Sequence, residues 1–203
     1  KGADVQTINA SGKMLVPGLC DIHVHLREPG FEWKETIQSG CQAAVASGFS
    51  SLVCMPNTNP IIDNAQVAQF IKDKARDLGL CDVFPLGAIS LSEKGEQLAP
   101  MLELKESGCV GFSDDGKPVM SSLVLRKAME YSLMLETTLA LHEEDIGLSN
   151  GGCMHEGLHS LKLGLKGIPN ASEDAIIARD IEIARLTGAR VHFCHLSSKR
   201  SVQ

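Results

Sequence analysis

His23 and His25 are separated by one residue in the run His23-Val24-His25-Leu26-Arg27-Glu28-Pro29-Gly30. On a strand such a pair points to one face, about 6.5 Å apart. Two imidazoles so placed can converge on one cation, at Zn–N bonds of about 2.0–2.1 Å. The apolar run 14–22 before them fits a buried strand and puts the pair at that strand's carboxyl end. Barrel and open α/β enzymes build their sites there. The pair alone is a weak indication, because two strand-end histidines need hold no metal. Further donors, however, recur at the ends of predicted strands: Asp114 and Asp115, then His142, then His195. Each has an ordinary reading taken singly, since Asp114-Asp115-Gly116 is a tight-turn sequence and a lone histidine can be a hydrogen-bonded strand end. Four strand ends bringing nitrogen and oxygen donors to one rim are better explained by a divalent-metal site that suits zinc.

The elements that must position these residues alternate at a spacing of about 30 residues, the length of a βαβ unit. Strands are predicted over 14–25, 50–55, 83–89, 110–113, 138–142 and 190–195. Helices are predicted over 35–46, 65–78, 94–106, 123–134 and 173–186. Asn64 and Ser172 are the expected caps, and Gly48, Gly79 and Gly188 the expected stops. A long loop, rich in Gly and Asn, is expected over 143–171. The alternation predicts a parallel α/β fold, read as a TIM-type (β/α)8 barrel rather than a Rossmann-like sheet because the strands follow in steady succession with chemistry at their ends; no GxGxxG follows the first strand, which lowers the dinucleotide-binding alternative. Residues 14–203 are expected to form a partial barrel domain, and 1–13 the edge of a small flanking β element, since Val5-Gln6-Thr7-Ile8 alternates apolar with polar. Only about six βα units are legible, whereas closing such a barrel takes eight strands. The expectation is therefore a fragment or a chain whose remainder lies elsewhere.

Composition excludes several function classes. A net charge of −6 without any basic run argues against a nucleic-acid partner. No apolar stretch approaches the roughly 18 residues of a membrane span, and no signal peptide opens the chain. With hydrophobic residues at 43% and aromatics at 4%, the core must be aliphatic. The seven cysteines are scattered without CxxC spacing and read as small buried hydrophobes in a reducing compartment, so a cytoplasmic protein is expected.

Five segments together resemble the motifs of type I dihydroorotases, cyclic amidohydrolases of the amidohydrolase superfamily. They are the run 23–30 already quoted, Met55-Pro56-Asn57-Thr58-Asn59-Pro60, Gly111-Phe112-Ser113-Asp114-Asp115-Gly116, His142-Glu143-Glu144-Asp145 and His195-Leu196-Ser197-Ser198-Lys199. The likeness runs from about Ser11 to Val202, in the same order and on the expected elements. It implies reversible hydrolysis of dihydroorotate to N-carbamoyl-L-aspartate in pyrimidine synthesis, with one or two Zn2+ ions. By position His23, His25, His142 and His195 resemble the metal-binding histidines. Asp115, preferred over Asp114 on motif alignment, resembles an aspartate ligand. Arg27 and Asn57 resemble the pair that binds the substrate carboxylate, a bidentate task suited to guanidinium. Their plain alternatives are a surface ion pair from Arg27 to Glu28 and a turn residue between two prolines.

The resemblance places the general acid/base aspartate at an eighth strand, beyond Gln203, so no catalytic proton carrier is assigned within these residues. Other readings stay open. One is an allantoinase- or hydantoinase-type enzyme, disfavoured by Arg27 and by the absence of a lysine at the fourth strand end. Another is a non-catalytic subunit that scaffolds aspartate transcarbamoylase. Besides the small-molecule substrate, a homo-oligomer or that transcarbamoylase is the expected partner. His155 and His159 read as solvated loop residues, and His192 is expected to face the helix layer.

Overall fold

The protein is described by a computed structural model over residues 7–203. Its first part runs β1 (Leu19–Val24), α1 (Ile37–Ala46), β2 (Phe49–Cys54), α2 (Ala65–Leu78), β3 (Asp82–Pro85) and β4 (Gly87–Ala88). The chain continues through α3 (Met101–Glu106), β5 (Phe112–Ser113), α4 (Ser122–Met134), β6 (Thr138–Leu141) and α5 (Ile146–Ser149). The last part is β7 (Met154–His155), α6 (Leu158–Leu163), β8 (Gly167–Ile168), α7 (Ala171–Thr187), β9 (Arg190–Phe193) and α8 (Lys199–Val202).

Among the described residues every pairing between these strands is parallel, in the orders β1-β2-β3, β4-β5-β6-β9 and β7-β8. The first two sheets meet where β3 passes into β4. Leu86 N donates to Cys54 O of β2 at 2.9 Å, and Gly87 N donates to Gly111 O on the other side at 3.0 Å. One stretch of chain thus changes partner within two residues, and the strands run on as one arc. Along this arc alternate side chains separate the faces. Leu52, Cys54, Leu139 and Leu141 pack with Ile37, Ile71, Leu104 and Leu125 of the helices in the main core. Each such buried aliphatic side chain stabilises by about 1.5–3 kcal/mol. Met55, Leu86, Ala140 and Cys194 form a smaller cluster on the opposite face.

Local chemistry explains the best-defined helix. Asn64 Oδ1 accepts from Val67 N at 3.2 Å, capping α2, and Gly79 ends it in the left-handed region at φ 60. The equivalent expectation for α7 is corrected. Its N-cap is Asn170, and Ser172 lies inside the first turn, where its hydroxyl donates to Asp145 O at 3.0 Å. The helix expected over 94–106 shrinks to Met101–Glu106, because Gly95 sits at φ 67 and Pro100 starts the helical turn. The stretch 143–171 is not a bare loop; it carries α5, α6 and the short β7–β8 pair, elements too brief to leave a periodic signature.

The first strand also differs. It begins at Leu19, while Met14 and Leu15 are 91% and 98% exposed. Within β1, Leu19 and Ile22 are also exposed. β1 pairs only with β2 among the described residues, so its apolar run has no cover on the far side. Of the flanking stretch 1–13, residues 1–6 lie outside the described residues and 7–13 carry no strand. His192 faces the opposite way from expectation. It lies in register with Ala140 and on the side of Cys194, while Val191 and Phe193 pack on the helix-side core. His195 has a backbone φ of 37, so counting alternation back from it fails.

Two loops that carry motif residues are locked together by a close approach at Gly30. Asn59 N donates to Pro29 O at 2.9 Å, and a Cβ on Gly30, whose φ is +97, would lie 2.1 Å from Asn59 O. Gly30→Ala is expected to destabilise the protein by more than about 1 kcal/mol, read as a lower midpoint in urea unfolding. An unchanged midpoint would mean that the loops are free to separate.

Candidate metal centre

The sequence-predicted donors come together at the carboxyl ends of four strands. His23 lies in β1 and His25 just past its end, and Asp115, His142 and His195 follow β5, β6 and β9. Asp115 is the hub. Its carboxylate lies 3.5 Å from His23 Nε2, 3.4 Å from His25 Nε2, 3.6 Å from His142 Nδ1 and 3.3 Å from His195 Nε2. The donors fall into two sets of three, His23–His25–Asp115 and Asp115–His142–His195, each with its ligand atoms within 4.8 Å of one another. A carboxylate and imidazoles at this spacing could hold a divalent cation in either set, or one in each with Asp115 shared.

The electrostatics suit that use. Burial alone would raise the Asp115 pKa, but hydrogen bonds to His142 and His195, with His23 and His25 facing it, hold the carboxyl well below its usual range. His23 is lowered, chiefly by burial and by the neighbouring His25 and His195 against the pull of Asp115, so its neutral, metal-binding form is favoured. His142 is raised, because Asp115 and Glu144 outweigh its burial.

The two aspartates divide cleanly. Asp114 turns away from the histidines and accepts from Ile89 N at 2.8 Å, Ser90 N at 3.1 Å and the Ser90 hydroxyl. Burial nonetheless pushes its pKa up to about 6. Glu93 is buried with one carboxylate oxygen unpartnered, and burial followed by the nearby Asp114 pushes it up to about 7. Both carboxyls therefore bind their proton more tightly folded than unfolded. The stability tied to those protons is full below their ordinary values of 3.8 and 4.5, and is lost as pH rises through about 6 and 7. Thermal melts of the metal-free protein should give a lower Tm at pH 8 than at pH 5; a higher one would contradict this account.

Two partners of the histidines were not foreseen in these roles. Asn57 Nδ2 donates to Asp115 O at 3.3 Å, which leaves Oδ1 to accept from His25 Nδ1 at 3.0 Å. That bond puts the His25 proton on Nδ1 and turns the lone pair of Nε2 toward Asp115. Glu144 pairs with His142 Nε2 at 3.1 Å, while Nδ1 faces Asp115 at 3.6 Å and His195 Nε2 at 3.1 Å; with a cation bound at Nδ1, Glu144 would keep the remaining proton on Nε2. The sequence lists Glu143 and Glu144 side by side, and nothing in it separates the buried one from the one that meets His142.

Arg27 stands two residues beyond His25, half-buried and with φ 60. Its suggested partner, Glu28, is engaged elsewhere: the buried carboxylate accepts from Ile37 N at 2.9 Å and pairs with Lys74. His155 and His159 are exposed and belong to neither donor set, although His155 lines the cavity beside His142 and His195. Four cysteines (Cys41, Cys54, Cys109 and Cys194) are buried, while Cys20 and Cys153 are exposed. Among the described residues no helix is long and apolar enough to cross a membrane.

The arc of parallel strands shares its fold with hydantoinase structures. The L-hydantoinase of Arthrobacter aurescens superposes with a TM-score of 0.75 at 19% identity, over 98% of this chain and 46% of that one. The dihydro-orotase-like family model matches residues 12–201, and the chain belongs to that family. A dihydroorotase of Pelotomaculum thermopropionicum is 52% identical over 201 residues, and one of Pelobacter propionicus is 49% identical over 201. Both alignments take in 99% of this chain and 47% of the relative, so the chain spans about half the length of the curated relatives it matches.

Proposed function

We propose that this chain carries the metal-binding part of a dihydroorotase, which reversibly hydrolyses the cyclic amide of dihydroorotate to N-carbamoyl-L-aspartate in pyrimidine biosynthesis. The observation that carries the reading is the buried Asp115 with four histidines within 3.6 Å of its carboxylate. His23, His25, Asp115, His142 and His195 are assigned as ligands of one or two Zn2+ ions. Zinc bound there would polarise the scissile carbonyl and bring the pKa of a water toward neutrality. Asn57 and Glu144 fix the tautomers of His25 and His142, so the nitrogens that face Asp115 are free to donate. Arg27 is assigned to the carboxylate of dihydroorotate, which it can meet with two parallel hydrogen bonds. Asn57 is assigned beside it, in addition to its bond to His25.

The parallel arc is read as six strands of a TIM-type barrel, with β3 and β4 together forming one of them. The activity is proposed for a polypeptide of the relatives' full length, acting in the cytoplasm, with the proton-transferring aspartate beyond Gln203. Assembly with itself or with aspartate transcarbamoylase is proposed for that full protein. A non-catalytic scaffold is disfavoured because the donor set has no gap. A hydantoinase-type activity is disfavoured because Arg27 serves no purpose on a ring without a carboxylate, and because relatives near 50% identity are named dihydroorotases. Turnover of the zinc-loaded full-length protein on dihydroorotate, allantoin and dihydrouracil tests the choice. Hydrolysis of dihydroorotate alone is expected; a preference for either uncharged ring would overturn the assignment.

A further inference from the structure

The donor sets differ in what stands behind them. His23 and His25 are held by β1 and by Asn57. The loops that carry the other three donors are all fastened to one helix, α7. Arg179 donates from Nη1 to Met120 O and from Nη2 to Val119 O, both at 2.9 Å, anchoring the loop that follows Asp115. Ser172 O accepts from Asp145 N at 2.8 Å, and its hydroxyl donates to Asp145 O, fastening the loop after His142. Glu173 grips the loop after His195. Its Oε1 accepts from Ser198 N at 2.8 Å, and its Oε2 accepts from Ser197 N at 2.9 Å and the Ser197 hydroxyl at 2.7 Å. Asp174 Oδ1 adds bonds from the hydroxyls of Ser198 at 2.5 Å and Ser201 at 3.0 Å. Ser172 and Arg179 are seven residues apart, two helical turns, and share one face of α7, while Glu173 and Asp174 reach out from its first turn.

His195 needs such a grip most. Its side chain is 46% exposed, against 23%, 28% and 18% for His23, His25 and His142, so packing does little to fix it. Its backbone lies at φ 37, a strained conformation for a non-glycine residue that persists only where the surroundings impose it. The turn at His195 is pinned on both sides: one residue earlier Cys194 N donates to Leu141 O at 3.0 Å, and two and three residues further on Glu173 holds the peptide N–H groups of Ser197 and Ser198.

We propose that Glu173 is a positioning residue that acts through His195 and sets the metal affinity of the Asp115–His142–His195 set, independently of the His23–His25–Asp115 set. The inference rests on the metal-site reading above. A side chain that orients a ligand in this way typically changes metal affinity about 10- to 100-fold.

The test is zinc affinity of the full-length protein by competition with a chromophoric chelator. Glu173→Gln keeps the size of the side chain but sets an N–H group against the Ser197–Ser198 peptide, and Glu173→Ala removes the grip entirely. Glu182→Ala, on an exposed part of the same helix, is the control. Both Glu173 variants should weaken the zinc held by the second set about 10- to 100-fold and leave the first set at wild-type affinity. Added to His195→Ala, Glu173→Gln should change zinc affinity no further, because its route is already gone. Wild-type affinity in both Glu173 variants, or additivity with His195→Ala, would overturn the proposal. Equal weakening of both sets, with a lowered Tm, would show a purely structural role and also overturn it. A wild-type protein that binds no zinc would instead defeat the metal-site reading itself.

Discussion

Asp115→Ala is expected to abolish zinc binding at both donor sets and to lower dihydroorotate turnover by at least about a thousandfold. Among the described residues it is the donor common to the two sets, whereas each histidine belongs to one. Loss of a histidine leaves one set intact, and loss of Asp115 breaks both. Its charge matters as much as its oxygens, because four imidazoles face it and hold it ionised. Asp115→Asn, which keeps the shape and removes the charge, should therefore resemble Asp115→Ala rather than the wild type. Asp114→Asn offers the contrast one residue away. That carboxylate is spent on Ile89 and Ser90, so the variant should lower Tm while zinc stoichiometry stays unchanged. Zinc retained by Asp115→Ala and lost from Asp114→Asn would reverse the assignment of the two aspartates.

Arg27→Gln is expected to separate substrate recognition from metal chemistry. Losing a charge-assisted pair to a carboxylate costs about 1.5–3 kcal/mol, roughly a ten- to hundredfold fall in kcat/KM for dihydroorotate. Zinc affinity should not move, because Arg27 provides none of the donor atoms. The guanidinium is not neutralised by its neighbour, since Glu28 is bound to Ile37 N and Lys74. Selectivity should relax as well: the ratio of dihydroorotate to dihydrouracil hydrolysis should drop by the same factor. An unchanged ratio would show that the substrate carboxylate is met by another group.

Much of this arrangement was legible in the sequence. The strand–helix alternation follows from hydrophobic pattern and caps, and α2 lies where Asn64 and Gly79 bracket it. The spacing of His23 and His25 and the strand-end places of Asp115, His142 and His195 follow from the same pattern, because each strand end faces one rim. What was not legible depends on which side of a strand is covered. The run from Met14 to Ile22 reads as core, yet its outer side has no neighbour among the described residues. His192 was misplaced because the backbone turns at His195, a conformation that residue type does not announce. The outer shell of the centre was also hidden. Asn57 reads as a turn residue or a substrate contact, and Glu173 as an ordinary first-turn acid of a helix. Their bonds to His25 and to the loop after His195 span 32 and 24 residues and belong to tertiary structure alone.

The most direct measurement is zinc content and dihydroorotate turnover of the full-length protein, before chelation, after it, and after zinc is restored. At least one bound zinc per chain is expected, with loss of turnover on stripping and its return on reloading. Turnover that survives complete removal of metal, or a reloaded protein that holds zinc equally well without Asp115, would contradict the metal-site assignment.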